Sequence, residues 1–175
     1  MIGFLLATSA LHADQMLATA IVVPMVDIAV INPNIGSFYQ LNSNVPVTLS
    51  LSNTGVVSSS APGAIQPLPG SGATAGVIAI TNGTGAGASV SIVGPASGSG
   101  NFLLTGPDSN SLNARLYQSQ TQTGSLGTLV TDGPFPCIYT AGACNIYLGA
   151  QVDIPPRPIT AETYTSSAMS INVSF

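Results

Sequence analysis

The segment Met169-Ser-Ile-Asn-Val-Ser-Phe175 alternates between apolar and polar residues up to the last position given. Met169, Ile171, Val173 and Phe175 occupy every second position, which places them on one face of an extended strand. A strand with a continuous apolar face is stable only in a sheet, beside strands from this chain or from another. The sequence therefore predicts a C-terminal strand with one buried face.

Further segments with strand character recur about every ten residues, separated by turn signals such as Asn82-Gly83 and Gly94-Pro95. Residues 58–74 are rich in Ser, Pro, Ala and Gly without a period, and we interpret them as an exposed loop. The other predicted strands are residues 25–31, 41–51, 77–81, 88–93, 102–104, 114–117, 127–130 and 145–152. This spacing predicts an all-β fold, a sandwich or a barrel, in a single domain over residues 24–175.

The composition is unusually poor in charge. Only 5% of the 175 residues are charged, against about 25% in ordinary globular domains. Lysine is absent, and Arg115 and Arg157 are the only basic residues besides one histidine. Nucleic-acid binding is excluded, because neutralising phosphates needs clustered Lys and Arg. Weak electrostatic repulsion between copies instead favours dense self-association.

Groups that could perform catalysis are almost missing from the chain. The single histidine is His12, and the six carboxylates are scattered without forming an acid–base pair in sequence. Residues 108–111 begin like a calcium loop but lack its glycine and terminal glutamate. We therefore predict a structural protein that is not an enzyme and has no metal and no cofactor.

Cys137 and Cys144 are the two cysteines of the chain. Their spacing is not Cys-x-x-Cys, and His12 is the only other soft metal ligand, so a metal or redox pair is disfavoured. In an exported protein the pair would instead form a disulfide that ties a short hairpin. The sequence predicts this disulfide.

The first residues form an apolar run, Met1 to Ala13, which ends in small residues. This pattern is typical of a secretory signal peptide, and the alternative is a retained hydrophobic helix packed inside a filament. The following arm, Asp14 to Val23, is β-prone and stops at Pro24. Four residues at alternate positions share one face of this arm: Leu17, Thr19, Ile21 and Val23.

The C-terminal part resembles the spore coat protein U group of secreted proteins, the subunits of archaic chaperone–usher pili. The residues that carry the resemblance are Leu148-Gly149-Ala150, the proline-rich connector Ile154 to Pro158, and Ile159 to Thr165 leading into Met169 to Phe175. Family members similarly end in a connector, a turn with a tyrosine, and an alternating strand that closes on an aromatic residue.

This resemblance implies an incomplete immunoglobulin-like antiparallel β-sandwich that lacks one strand. In such a subunit the missing strand would be supplied by the N-terminal extension of the next subunit, and identical subunits would join head to tail into a pilus (fimbria) at the cell surface. Leu17, Thr19, Ile21 and Val23 would then be the donor residues, and Met169, Ile171, Val173 and Phe175 would line the acceptor. A periplasmic chaperone and an outer-membrane usher are the further partners that the resemblance implies.

Two other functions remain open at this point. The first is a type IV-like pilin that keeps the hydrophobic helix of residues 1–13. The second is a monomeric adhesive or carbohydrate-binding module, which would need a groove with exposed aromatic rings, although the chain has no Trp and ten Phe and Tyr in total. A viral or spore coat subunit is a smaller alternative. Asn82-Gly83-Thr84 and Asn172-Val173-Ser174 match the acceptor pattern for N-glycosylation.

Overall fold

The structure, a computed structural model, describes residues 26–70, 72–93, 100–106, 111–131, 133–159, 163–166 and 169–175. These residues form antiparallel β-strands and no helix, which confirms the all-β prediction. The strands are β1 (Asp27–Ile31), β2 (Phe38–Gln40), β3 (Val47–Leu51), β4 (Val57–Ser59), β5 (Ile65–Pro67), β6 (Gly76–Thr81), β7 (Gly87–Val93), β8 (Asn101–Thr105), β9 (Ser111–Ser119), β10 (Thr128–Leu129), β11 (Phe135–Ile138), β12 (Cys144–Ile154), β13 (Thr165–Ser166) and β14 (Ser170–Ser174). The predicted signal peptide and the arm with Leu17, Thr19, Ile21 and Val23 lie outside the described residues.

The larger of the sheets, here called the main sheet, is built on β12. This 11-residue strand pairs with β6 along its first half and with β3 along its second half, and β9 lies on its other edge. Its inward positions alternate through Ile146, Leu148, Val152 and Ile154, all of which are buried. The main sheet has the order β1-β6-β12-β9-β8-β13, with β3, β4 and β10 attached to it.

A second, small sheet has the order β11-β7-β14, and β2 and β5 form a separate pair. Val90 and Ile92 of the small sheet belong to the same buried cluster as Ile78 and Ile146 of the main sheet. Ile65 of the β2–β5 pair joins this cluster as well. Sheets of unequal size therefore share one hydrophobic core, which is the packing arrangement of a β-sandwich.

Several of the short strands differ from the sequence-based prediction. The segment 58–74 is not a continuous loop, because β4 extends into it and β5 lies within it. Ile65 of β5 is fully buried opposite Gln40, so a tertiary contact forms this strand without local alternation. β11 was missed because it contains Pro136, which is tolerated here since β11 is an edge strand of the small sheet.

The predicted disulfide is confirmed. Cys137 lies on β11 of the small sheet, Cys144 lies on β12 of the main sheet, and both side chains are buried in the shared core. The turn between the two strands closes through a bridge of Thr140 with Ala143. The disulfide therefore joins the two sheets at the corner where the chain passes from one to the other.

Asn53, which follows β3, is a buried polar anchor that the sequence did not reveal. Its side chain is 0% exposed. Nδ2 donates a 2.7 Å hydrogen bond to the carbonyl of Thr121, and Oδ1 accepts hydrogen bonds from the backbone N–H groups of Thr123 and Gly124. The backbone N–H of Asn53 also donates to the carbonyl of Ser125. One amide thus fixes the loop between β9 and β10 against β3.

The disulfide predicts a measurable loss of stability when it is removed. Replacing both cysteines by alanine should lower the free energy of unfolding by about 2–3 kcal/mol, since the closed loop is short. Urea denaturation of the double variant against the unaltered chain measures this difference. The denatured, unreduced protein should show no free thiol, and two titratable thiols would contradict the bridge.

The buried amide gives a second stability prediction. Asn53→Ala removes the partners of buried backbone groups in the 121–125 loop and should cost about 2–4 kcal/mol in free energy of unfolding. Asn113→Ala is the matched control, because Asn113 is exposed on β9, and such a change should stay within about 0.5 kcal/mol. Equal unfolding midpoints for the two variants would show that the loop does not depend on Asn53.

Candidate functional site

The candidate site is the side of the sandwich where both sheets end on a strand with a single partner. Among the described residues, β1 pairs only with β6 at the end of the main sheet, and β14 pairs only with β7 at the end of the small sheet. The remaining edge of each strand carries backbone N–H and C=O groups that could pair with a further strand.

The two edge strands occupy corresponding ends of their sheets, each two strands away from the corner that carries the disulfide. The disulfide between Cys137 and Cys144 places β11 against β12. From that corner the main sheet continues as β12-β6-β1 and the small sheet as β11-β7-β14.

On β1, two apolar side chains face the core without being covered by it. Ile28 pairs with Ile80, and Val30 pairs with Ile78. Residues directly opposite in an antiparallel pair share one face of the sheet. Ile78 and Ile80 are 0% exposed, whereas Ile28 is 47% and Val30 45% exposed. The cover over the core therefore ends between β6 and β1.

The same change from buried to partly exposed apolar side chains occurs in the small sheet, between β7 and β14. Ile171 and Val173 of β14 pair with Ile92 and Val90 of β7, which are buried. Ile171 and Val173 themselves are only half-buried, as is Met169 just before the strand. The predicted alternation of apolar and polar positions in the C-terminal strand is present in the structure. Its polar positions are the more exposed ones, namely Ser170, Asn172 and Ser174.

Phe175 differs from the sequence-based expectation. It lies one position beyond β14 and is 70% exposed, so it does not contribute to a buried face. Its position continues the series Ile171, Val173 along the open side. We call the surface formed by Ile28, Val30, Ile171, Val173 and Phe175 the open groove.

The open groove is electrically neutral, and charges lie at its margin or elsewhere. Asp27 at the start of β1 accepts a 2.7 Å hydrogen bond from Nδ2 of Asn82, an exposed residue in the turn after β6. Arg115 and Asp153 form an ion pair between β9 and β12, on the outer face of the main sheet. The hydrogen bond to Asp153 and the attraction of its carboxylate raise the pKa of Arg115. While Asp153 is ionised, stabilisation of this sign is lost only as the pH rises into the strongly alkaline range where arginine loses its proton.

The described residues offer no cluster of metal-ligating side chains. They contain no group of three or more His, Cys, Asp or Glu side chains that could hold a metal ion. Within the same ranges, no helix has the length and apolar character needed to cross a membrane. The disulfide fits an oxidising location such as the periplasm or the exterior of the cell.

No model of a known protein family matches the chain, and no curated protein sequence matches it either.

The sequence predicts a strand at residues 25–31 but does not single out Ile28 and Val30. A signal was present, because Ile28-Ala-Val-Ile31 is apolar at consecutive positions and so offers apolar side chains to both faces. An antiparallel strand with one solvated face would show polar residues at alternate positions. A strand of this kind is expected to be covered on both sides, and in the structure β1 is exposed along its whole length.

Because the side chains of β1 are only partly buried, truncating a residue of β1 should lower the free energy of unfolding less than truncating its partner on β6. Val30→Ala should lower the free energy of unfolding by less than about 1 kcal/mol, because the side chain is already half in solvent. Ile78→Ala, directly opposite, should cost about 2–5 kcal/mol as a fully buried truncation. Urea unfolding of each variant measures both values, and a large cost at Val30 would show that β1 is covered in solution.

Proposed function

We propose that the chain is a structural subunit of an extracellular fibre, a pilus or fimbria, that polymerises by donor-strand exchange. In this proposal, the arm of residues 14–23 of one copy lies in the open groove of the next copy. The observation that carries the proposal is the pair of partly exposed apolar rows on β1 and β14, each of which lies beside a fully buried row on β6 or β7.

The order of the strands supports an immunoglobulin-like arrangement that lacks its last strand. Such a fold pairs its first, second, fifth and fourth strands in one sheet and its third and sixth in the other, and adds a seventh beside the sixth. The order β1-β6-β12-β9 corresponds to the first sheet, and β7-β14 corresponds to the second. A seventh strand would occupy the free edge of β14, across from β1.

The arm of residues 14–23 has the properties that such an added strand needs. Leu17, Thr19, Ile21 and Val23 repeat every second residue, as do Met169, Ile171, Val173 and Phe175 of the acceptor. An extended segment adds to a sheet edge through backbone hydrogen bonds, while its alternate side chains fill the space beneath. The arm has no charge from Leu17 to Val23, which suits the neutral groove.

A head-to-tail contact of this kind does not close on itself, so it produces a filament from identical subunits. Before assembly, the open groove would expose apolar side chains and an unpaired edge, both of which promote aggregation. A periplasmic chaperone that occupies the groove until an outer-membrane usher receives the subunit would solve this problem. These two partners are part of the proposal, as is location at the cell surface.

Matched charge substitutions test the role of the groove in the full chain. Ile171→Asp places a carboxylate on the groove side of β14 and should abolish fibres in electron micrographs. Leu103→Asp is the control, because Leu103 is an exposed apolar residue on β8, away from the groove, and this variant should form fibres normally. Fibres of normal length from Ile171→Asp would contradict the proposal.

Removing the arm tests the donor. A chain without residues 14–23 should remain soluble and fail to polymerise. A synthetic peptide of residues 14–23 should bind this shortened chain and raise its free energy of unfolding in proportion to the logarithm of the peptide concentration. The same peptide with Ile21→Asp should have no such effect. Normal fibres from the shortened chain, or equal effects of both peptides, would refute donor-strand exchange.

A further inference from the structure

A second surface feature lies on the outer face of the main sheet, beside the corner that carries the disulfide. It is a depression of about 280 Å³. Its lining consists of Gln120, Ile138, Thr140, Ala143, Cys144, Asn145 and Tyr147. It is separate from the open groove, whose side chains lie on the core-facing side of β1 and β14.

The fold brings these residues together from three consecutive parts of the chain. On β12, Asn145 and Tyr147 point outward because Cys144, Ile146 and Leu148 at the alternating positions are buried. Gln120 directly follows β9, the neighbour of β12. Thr140 lies in the turn after β11, and Ile138 of β11 forms an apolar wall that is 62% exposed.

The polar side chains of this depression differ in their hydrogen bonding from those further along the outer face of the main sheet. There, the Tyr117 hydroxyl donates a 2.6 Å hydrogen bond to Gln151, whose amide in turn donates to Ser50. The side chains of Gln120, Thr140, Asn145 and Tyr147 make no such bond to the described residues. Four hydrogen-bonding side chains therefore line one depression without a side-chain hydrogen bond to the described residues.

The chemistry of the lining favours a neutral ligand over an anion. None of its residues is charged, so it offers nothing to neutralise a phosphate or a carboxylate. The Tyr147 ring and Ile138 present apolar surface, and two amides and two hydroxyls surround it. A sugar ring has the complementary character, with a C–H face that packs on an aromatic ring and a rim of hydroxyls that exchange hydrogen bonds. The volume suits a single ring more than an extended peptide.

We propose that this depression binds a neutral sugar residue, as it would occur at the end of a glycan on a cell or matrix surface. The proposal goes beyond fibre formation and does not depend on it, because the lining residues come from one copy and lie outside the open groove. A single site of this size binds weakly. Repetition of the site on a fibre would increase the apparent affinity for a surface by about 10²–10⁴-fold when several sites engage together.

The test uses the full soluble chain and saturation-transfer difference NMR. The probes are the methyl glycosides of glucose, galactose, mannose and N-acetylglucosamine, with trialanine as a neutral peptide probe. At least one glycoside should receive saturation and show a reproducible titration, and trialanine should not. Binding of trialanine alone, or of no probe, would overturn the proposal.

Variants locate the binding on the protein. Asn145→Ala and Tyr147→Ala should each weaken the glycoside by roughly tenfold or more, the effect of one good hydrogen bond or ring contact. Tyr147→Phe should weaken it less, because the ring remains. Asn113→Ala, an exposed amide on the outer face of β9, should bind as the unaltered chain does. If Tyr147→Ala does not fold, Asn145→Ala and Gln120→Ala decide the result, and unchanged binding in both would overturn the assignment.

Discussion

Burial of apolar side chains between two sheets of unequal width is the constraint on which the structure depends. The core is fully buried at β6, β12 and β7, because both sheets supply side chains there. Toward β1 and β14 each sheet contributes its last strand, and the side chains of that strand meet solvent instead of a partner. Removing apolar surface from water is favourable at about 25 cal/mol per Å². An added strand on this side would therefore gain both burial and backbone hydrogen bonds.

Local alternation was sufficient to predict part of this arrangement from the sequence. The strands at Val47–Leu51, Gly76–Thr81, Gly87–Val93 and Ser170–Ser174 each have a period of two and contain many β-branched residues, and the structure has all of them. The disulfide followed from the count of cysteines and their spacing. Short strands were not predictable in this way, because β5 and β11 owe their conformation to partners distant in sequence and contain too few residues for a period. The state of Phe175 was missed for a related reason, since alternation gives the face of a residue and not what lies opposite to it.

Only one of the two walls of the candidate site could be predicted from the sequence. The apolar series Met169, Ile171, Val173 identifies one wall, but the other wall depends on the pairing of β1 with β6, which local patterning does not give. Asn53 illustrates the same difficulty, because nothing in the sequence around it distinguishes a buried anchor from an ordinary turn residue. The depression at Tyr147 also required the fold, since its residues come from β9, β11 and β12 and meet only at the corner that the disulfide closes.

The positions of β1 and β14 have a mechanical consequence for a fibre of the proposed kind. Tension from one neighbour would enter a subunit through the segment that precedes β1, and it would leave through the strand held against β14. Each of these strands is attached to its own sheet by a ladder of five residue pairs. A pull along the strand axes would load all pairs of a ladder in shear at once, so they would have to break together. Because β1 and β14 belong to different sheets, the force would pass through the packed core between them.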